Sequence, residues 1–192
     1  MKNILCFEGE WKFNTHKKPE RFDLNSEPIL RMLKEYHKCD AIYRHILTKE
    51  DLKLYMEYFN RNKREWNKID IVYIACHGWF HSISLEGENG NVDLQELADI
   101  AGDFFRDKIV HFSCCKTLAN TSEVEHFKSI TGAKLVCGYK KSVDAMKSAI
   151  ADTALLNELI TSNKPGNIKN IAISKFRKTY KSLLNELDFC AI

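Results

Sequence analysis

Two hydrophobic periodicities alternate along this chain, and that alternation limits the fold more than any other feature of the sequence. Five short runs are rich in β-branched and aromatic residues: 3–7 (NILCF), 41–46 (AIYRHI), 69–76 (IDIVYIAC), 108–113 (KIVHFS) and 133–139 (AKLVCGY). Residues 71–76 are almost continuously apolar, as a strand covered on both faces must be. Helical patterns lie between the runs. Ser26 is placed to cap a helix over 27–38, with Pro28 in the first turn and Ile29, Leu30 and Leu33 on one face. Thr48 is placed to cap another over 49–66, where Leu52, Tyr55, Met56 and Phe59 follow helical spacing. Further helices are expected over 94–105, 122–130 (stopped by Thr131-Gly132), 144–162 and 168–188, the last two separated by 163–166 (NKPG). Strands alternating with crossover helices predict an α/β fold, a three-layer α-β-α sandwich around a mostly parallel sheet.

One insertion interrupts the rhythm. Residues 79–93 (WFHSISLEGENGNVD) alternate polar and apolar side chains, then carry Gly87 and Asn89-Gly90, which predicts a small β-hairpin after the third strand. Neither a repeat nor a low-complexity tract marks a boundary, so 1–192 reads as one domain, with 162–192 a helical extension packed on it.

Composition narrows the function classes. With 29 basic against 26 acidic residues the net charge is +3, too small for the basic face that nucleic acid demands. No apolar run approaches the roughly 18 residues of a membrane span. The opening MKNILCFEGEW does not read as a signal peptide, because its apolar run ends at Glu8, so a cytoplasmic setting with free thiols is expected. The seven cysteines contain no CxxC, and adjacent Cys114 and Cys115 suit one tetrahedral zinc poorly; neither a metal nor a cofactor is expected.

Functional groups of open α/β sheets gather at the C-terminal ends of the strands. Those ends carry Glu8-Gly9-Glu10, Cys76-His77-Gly78, Ser113-Cys114-Cys115-Lys116-Thr117 and the stretch up to Asp144. Neighbouring strands run about 4.8 Å apart, so a His at one tip and a Cys at the next can form a base and nucleophile pair. Gly78, without a Cβ, can turn sharply and aim its N–H at a developing oxyanion, with the Cys115 N–H as second donor. Plainer readings exist for each motif: His-Gly as a turn, Ser-Cys-Cys as small residues beneath a helix. His81 reads as an exposed hairpin side chain, and His111, in mid-strand, as a satisfied buried histidine. The cations around 175–181 read as the solvated face of an amphipathic helix.

Taken in order, IDIVYIACHG (69–78), SISLEGENGNVDLQELADI (82–100), KIVHFSCCKT (108–117) and GYKKSVDAMKSAIAD (138–152) resemble the caspase–haemoglobinase fold of cysteine peptidases, and within it the CHAT domain of bacterial defence proteins. The resemblance covers about residues 1–162. It implies a cysteine endopeptidase that cleaves a protein partner at a limited site through a Cys–His dyad, in defence or regulated cell death, with an activating partner protein as a possibility. His77 matches the family's base. The family's Ser-Ala-Cys-x-Thr pattern puts the nucleophile on Cys115, and its oxyanion hole on the N–H groups of Gly78 and Cys115. Cys114 stands in place of Ala, which leaves two adjacent thiols in the running, and Leu118 stands where many members have Gly. The pocket for the residue before the scissile bond, built in this fold from loops after the first, fourth and fifth strands, would draw on Glu8, Glu10 and Asp144. Such carboxylates favour Lys or Arg in the substrate, unless, as with Asp144, they only cap a helix. The alternative is a catalytically silent caspase-like interaction module. A nucleotide-binding reading fares worse, because CFEGEW has a single glycine and no phosphate loop follows it.

Overall fold

The structure, a computed structural model, describes residues 1–10, 25–87, 90–162 and 168–192. The chain begins with β1 (Asn3–Glu8), α1 (Glu27–His37) and β2 (Ala41–His45). It continues through α2 (Lys49–Arg61), α3 (Lys63–Trp66) and β3 (Ile69–Ala75). Three short strands follow, β4 (His77–Trp79), β5 (Ser82–Ser84) and β6 (Asn91–Asp93), then α4 (Leu94–Ala101). The second half holds β7 (Ile109–Ser113), α5 (Thr121–Thr131), β8 (Leu135–Tyr139), α6 (Ala145–Thr161), α7 (Ser174–Thr179), α8 (Lys181–Leu187) and β9 (Phe189–Ala191).

The central sheet runs β2-β1-β3-β7-β8-β9, parallel except for β9. Both faces are covered, as the apolar strands require. Leu5, Phe7, Val72, Ile74, Val110 and Phe112 meet Leu52, Met56 and Phe59 of α2, Leu97 of α4 and Phe127 of α5. On the other face Ile4, Cys6, Ile71, Tyr73 and Leu135 meet Leu30 and Leu33 of α1, Leu155 and Leu159 of α6, Phe176 of α7 and Leu184 of α8. The expected three-layer α/β sandwich is therefore the observed one. No helix among the described residues is long and apolar enough to cross a membrane. The chain leaves β1 towards β2 on one side and leaves β3 towards β7 on the other, so the switch point of the sheet falls between β1 and β3.

Several local expectations are corrected. The insertion is a three-stranded antiparallel sheet, β4-β5-β6, rather than a lone hairpin, and His77 and Gly78 open its first strand rather than ending β3. Asn89 and residues 163–166, singled out as turn signals, lie outside the described residues. The helix expected over 49–66 breaks at Asn62, whose side-chain amide donates to the Tyr58 carbonyl at 2.7 Å and competes with the helix. The helix over 94–105 stops at Gly102, φ 54°, and continues as a 3-10 turn. The extension over 168–188 is a π-helical turn (Lys169–Ile173), α7 and α8, and it packs into the core by Ile173, Phe176, Leu184 and Leu187. Asp188, at φ 51°, then turns the chain from α8 into β9, which carries Cys190.

Candidate functional site

The sheet's C-terminal edge sets Gly78, which follows His77 on β4, against the loop that carries Cys115. β3 and β7 are neighbours in register, Ala75 opposite Ser113, so the segments that follow them leave the sheet side by side. A Cβ on Gly78 would stand 2.4 Å from the Cys115 carbonyl oxygen, 2.6 Å from Thr117 Oγ1 and 2.9 Å from Cys114 Cβ. Only glycine fits against the loop there. The two segments are stitched further along: Thr117 Oγ1 donates to the Ser82 carbonyl at 2.9 Å, and the His81 N–H to the Lys116 carbonyl at 3.4 Å. Lys116 and His81 both adopt left-handed backbone, φ 57° and 59°. The Lys116 ammonium lies 4.5 Å from the Trp79 ring centre and 4.7 Å from that of Phe80, two rings more than half exposed.

The two adjacent thiols differ sharply in setting. Cys114 is buried beneath the sheet's edge, donating to the Ile74 carbonyl at 3.4 Å. Burial, with the Cys76 thiol beside it, pushes the Cys114 thiol well above its ordinary pKa. Cys115 is the one cysteine of the seven that is partly exposed. The Val143 N–H, just before α6, donates to its sulfur at 3.4 Å. His77 is exposed on β4, and His81 is half-buried rather than exposed.

A narrow cleft of about 50 Å³ opens beside this edge, between the starts of α1 and α6 and over the switch point of the sheet. Ile29, Ala145 and Ala149 form part of its walls, and Glu8, Tyr73, Ser113 and Asp152 line it as well. Glu8, expected as a substrate-binding residue, therefore lines the cleft. Its carboxylate accepts the Ser26 N–H and Ser26 hydroxyl, and Tyr43 also bonds to it. Three donors suit a carboxylate rather than the acid. Ser26 spends its hydroxyl here and makes no side-chain cap on α1, contrary to expectation. Glu10 is buried but is not among the lining residues, and Asp144 caps α6 by accepting the Lys147 N–H at 2.9 Å.

Asp152, absent from the sequence reading, is the centre of the polar network beneath the cleft. It is 1% exposed and accepts hydrogen bonds from His111 Nε2 (2.6 Å), Tyr73 (3.0 Å), Ser113 and Tyr139. Burial alone would lower the His111 pKa, but the Asp152 carboxylate reverses this and raises it well above 6.5. Asp152 is in turn held below its ordinary 3.8 against the effect of burial, chiefly by the charge of His111. The two are a buried ion pair. His111 is thus the satisfied core histidine expected of it. The legible signal for Asp152 was an acid inside the apolar stripe of Ala151, Leu155, Leu156 and Leu159.

Residues 1–191 match the family described as Family of unknown function (DUF6642), and the chain belongs to that family. No curated protein matches it. Among solved structures, a conserved domain protein from Vibrio cholerae O1 biovar El Tor is similar at 13% identity and TM-score 0.35, over 86% of this chain and 42% of that one. The chain thus spans about two fifths of that protein's length. An azoreductase from Bacillus anthracis str. Sterne is similar at 11% identity and TM-score 0.40, over 95% and 99% of the two chains. Likeness this distant carries no argument about activity.

Proposed function

We propose that this member of the DUF6642 family is a caspase-like cysteine endopeptidase that cleaves a protein partner at a limited site through His77 and Cys115. The observation that carries the reading is the packing of Gly78 on the Cys115 carbonyl, which joins the histidine segment to the one partly exposed thiol. In this reading His77 takes the Cys115 proton and the sulfur attacks the scissile carbonyl carbon. The N–H groups of Gly78 and Cys115 receive the oxyanion. His77 returns the proton to the leaving amine, and water, deprotonated by the same imidazole, releases the acyl group from sulfur.

The cleft supplies a place for the side chain before the scissile bond. Ser113, on its lining, is two residues before Cys115, and Ala145 is two residues after Val143, whose N–H holds the sulfur. The Glu8 carboxylate lines the cleft beneath walls that include Ile29, Ala145 and Ala149, and the buried His111–Asp152 pair lies under it. An aliphatic stem with a cationic tip, Lys above all, matches that pattern. Glu10 and Asp144 act in this reading on the cleft's surroundings rather than on the ligand.

An electrophilic peptide probe, acyloxymethyl ketone with Lys at its terminal position, tests the proposal. Cys115 is expected to be labelled in the wild-type chain and in Cys114→Ala, and labelling is expected to vanish in Cys115→Ala and His77→Ala. Labelling is also expected to be faster than with the Leu or Asp probe. Absence of labelling in the wild-type chain, including when it is mixed with the proteins that co-purify with it, would favour the silent interaction module.

A further inference from the structure

Two thiols meet beneath the candidate site, and the peptidase chemistry uses neither of them. Cys76 follows β3 and Cys114 follows β7, one step beyond the Ala75–Ser113 pair, so they face each other across neighbouring parallel strands. Their sulfurs are 3.4 Å apart and both side chains are buried, 0% and 1% exposed. Neighbouring strands are spaced about 4.8 Å apart, within the roughly 4.4–6.8 Å between Cα atoms that a disulfide spans. Each of the two cysteines directly precedes a residue of the candidate dyad: Cys76 precedes His77, and Cys114 precedes Cys115.

We propose that Cys76 and Cys114 form a reversible disulfide under hydrogen peroxide, cross-linking the strand ends that carry His77 and Cys115. In the first step a peroxide oxygen bonds to one sulfur as the O–O bond breaks; water leaves and the sulfur becomes a sulfenic acid. In the second, the neighbouring sulfur attacks the sulfenic sulfur. The S–S bond forms, the S–O bond breaks, and the hydroxide leaves with the thiol proton as a second water. Two thiols are oxidised and one peroxide is reduced. The burial that holds the Cys114 thiol above its ordinary pKa makes the first step slow compared with an exposed thiolate. The 3.4 Å separation makes the second step an encounter between neighbours already in contact.

Bond formation draws the sulfurs from 3.4 Å to about 2.05 Å. Gly78 leaves no slack to absorb this, because its backbone already lies against Cys114 Cβ and the Cys115 carbonyl. The movement therefore reaches the relation between His77 and Cys115. This consequence rests on the peptidase reading; the cross-link itself does not.

The test uses the full chain carrying Cys115→Ser, so that the peptide containing Cys114 holds a single thiol. The chain is treated with hydrogen peroxide, denatured, alkylated with N-ethylmaleimide and mapped by mass spectrometry. A Cys76–Cys114 linked peptide pair that dithiothreitol dissolves is expected, and in Cys114→Ala with native Cys115 the Cys76 thiol is expected to stay alkylatable. Recovery of both thiols alkylated, or as sulfinic or sulfonic acids without linkage, overturns the proposal. In the wild-type chain, cross-linking is expected to suppress probe labelling of Cys115 and dithiothreitol to restore it. Unchanged labelling after full cross-linking overturns the regulatory consequence. A chain that is never labelled yet cross-links overturns the peptidase reading alone.

Discussion

At position 78 the side chain is excluded by backbone, not by neighbours that can turn aside. A methyl group placed there would lie 2.4 Å from the Cys115 carbonyl oxygen, and Thr117 Oγ1, the next nearest at 2.6 Å, is fixed by its bond to Ser82. Gly78→Ala is therefore expected to cost about 1–3 kcal/mol, as overpacking of a fitted site does. Because the displaced atom belongs to the candidate nucleophile's own residue, probe labelling of Cys115 is expected to slow more than stability falls. Urea melts read beside labelling rates check this; a variant within about 0.5 kcal/mol of wild type and labelled as fast would mean that the contact constrains nothing. The His-Gly pair was legible as a motif, but its reason was not, since the contact joins residues 37 positions apart in the chain. Likewise, spacing left Cys114 and Cys115 as rivals, and burial separates them: one points into the core and the other reaches solvent.

The two helix starts at Ser26 and Thr48 look alike in sequence and differ in structure. Thr48 builds a full capping box, its side chain accepting the Asp51 N–H at 3.1 Å while Asp51 accepts the Thr48 N–H at 3.0 Å. Ser26 turns to Glu8. Thr48→Ala is accordingly expected to destabilise α2 by about 1 kcal/mol without touching the cleft. Ser26→Ala is expected to act at the Glu8 carboxylate instead, slowing labelling by the Lys probe while the Leu probe is unaffected. An equal effect on both probes would show Ser26 acting as a simple cap. Strands rich in β-branched residues and helices with an apolar stripe were legible because each carries its period over many residues. β9 was not, for its three residues have no period to read, and the partners that define it, Cys137, Gly138 and Tyr139 of β8, are distant in the chain. The breaks at Asn62 and Gly102 are single-residue events inside longer helical patterns, so periodicity ran through them.

Across the whole molecule, Asp152 ties α6 to three strands at once, through Tyr73 of β3, His111 and Ser113 of β7, and Tyr139 of β8. Ser113 is two residues from Cys115, so the same carboxylate that holds the layers together also fixes the strand end beneath the candidate site. No local pattern foretold this network, because its members lie up to 79 positions apart and meet only when the sheet closes under α6. Its charge gives stability a definite pH profile. The folded His111 titrates above its ordinary 6.5, so its contribution is complete below that value and is lost as pH rises through the raised one. The folded Asp152 titrates below its ordinary 3.8, so its contribution is complete above that value and is lost as pH falls through the lowered one. The pair therefore stabilises most between about pH 4 and 6.5. Removing one partner leaves the other charge buried alone, so Asp152→Asn is expected to cost about 3–5 kcal/mol near pH 6. His111→Gln keeps a donor towards Asp152 but cannot take up a proton, so the stability gap between it and wild type is expected to shrink as pH rises above about 6.5. Denaturation midpoints measured across that range decide the point: a gap that stays constant with pH would mean that His111 is neutral in the fold and that a hydrogen bond, not an ion pair, joins α6 to the sheet.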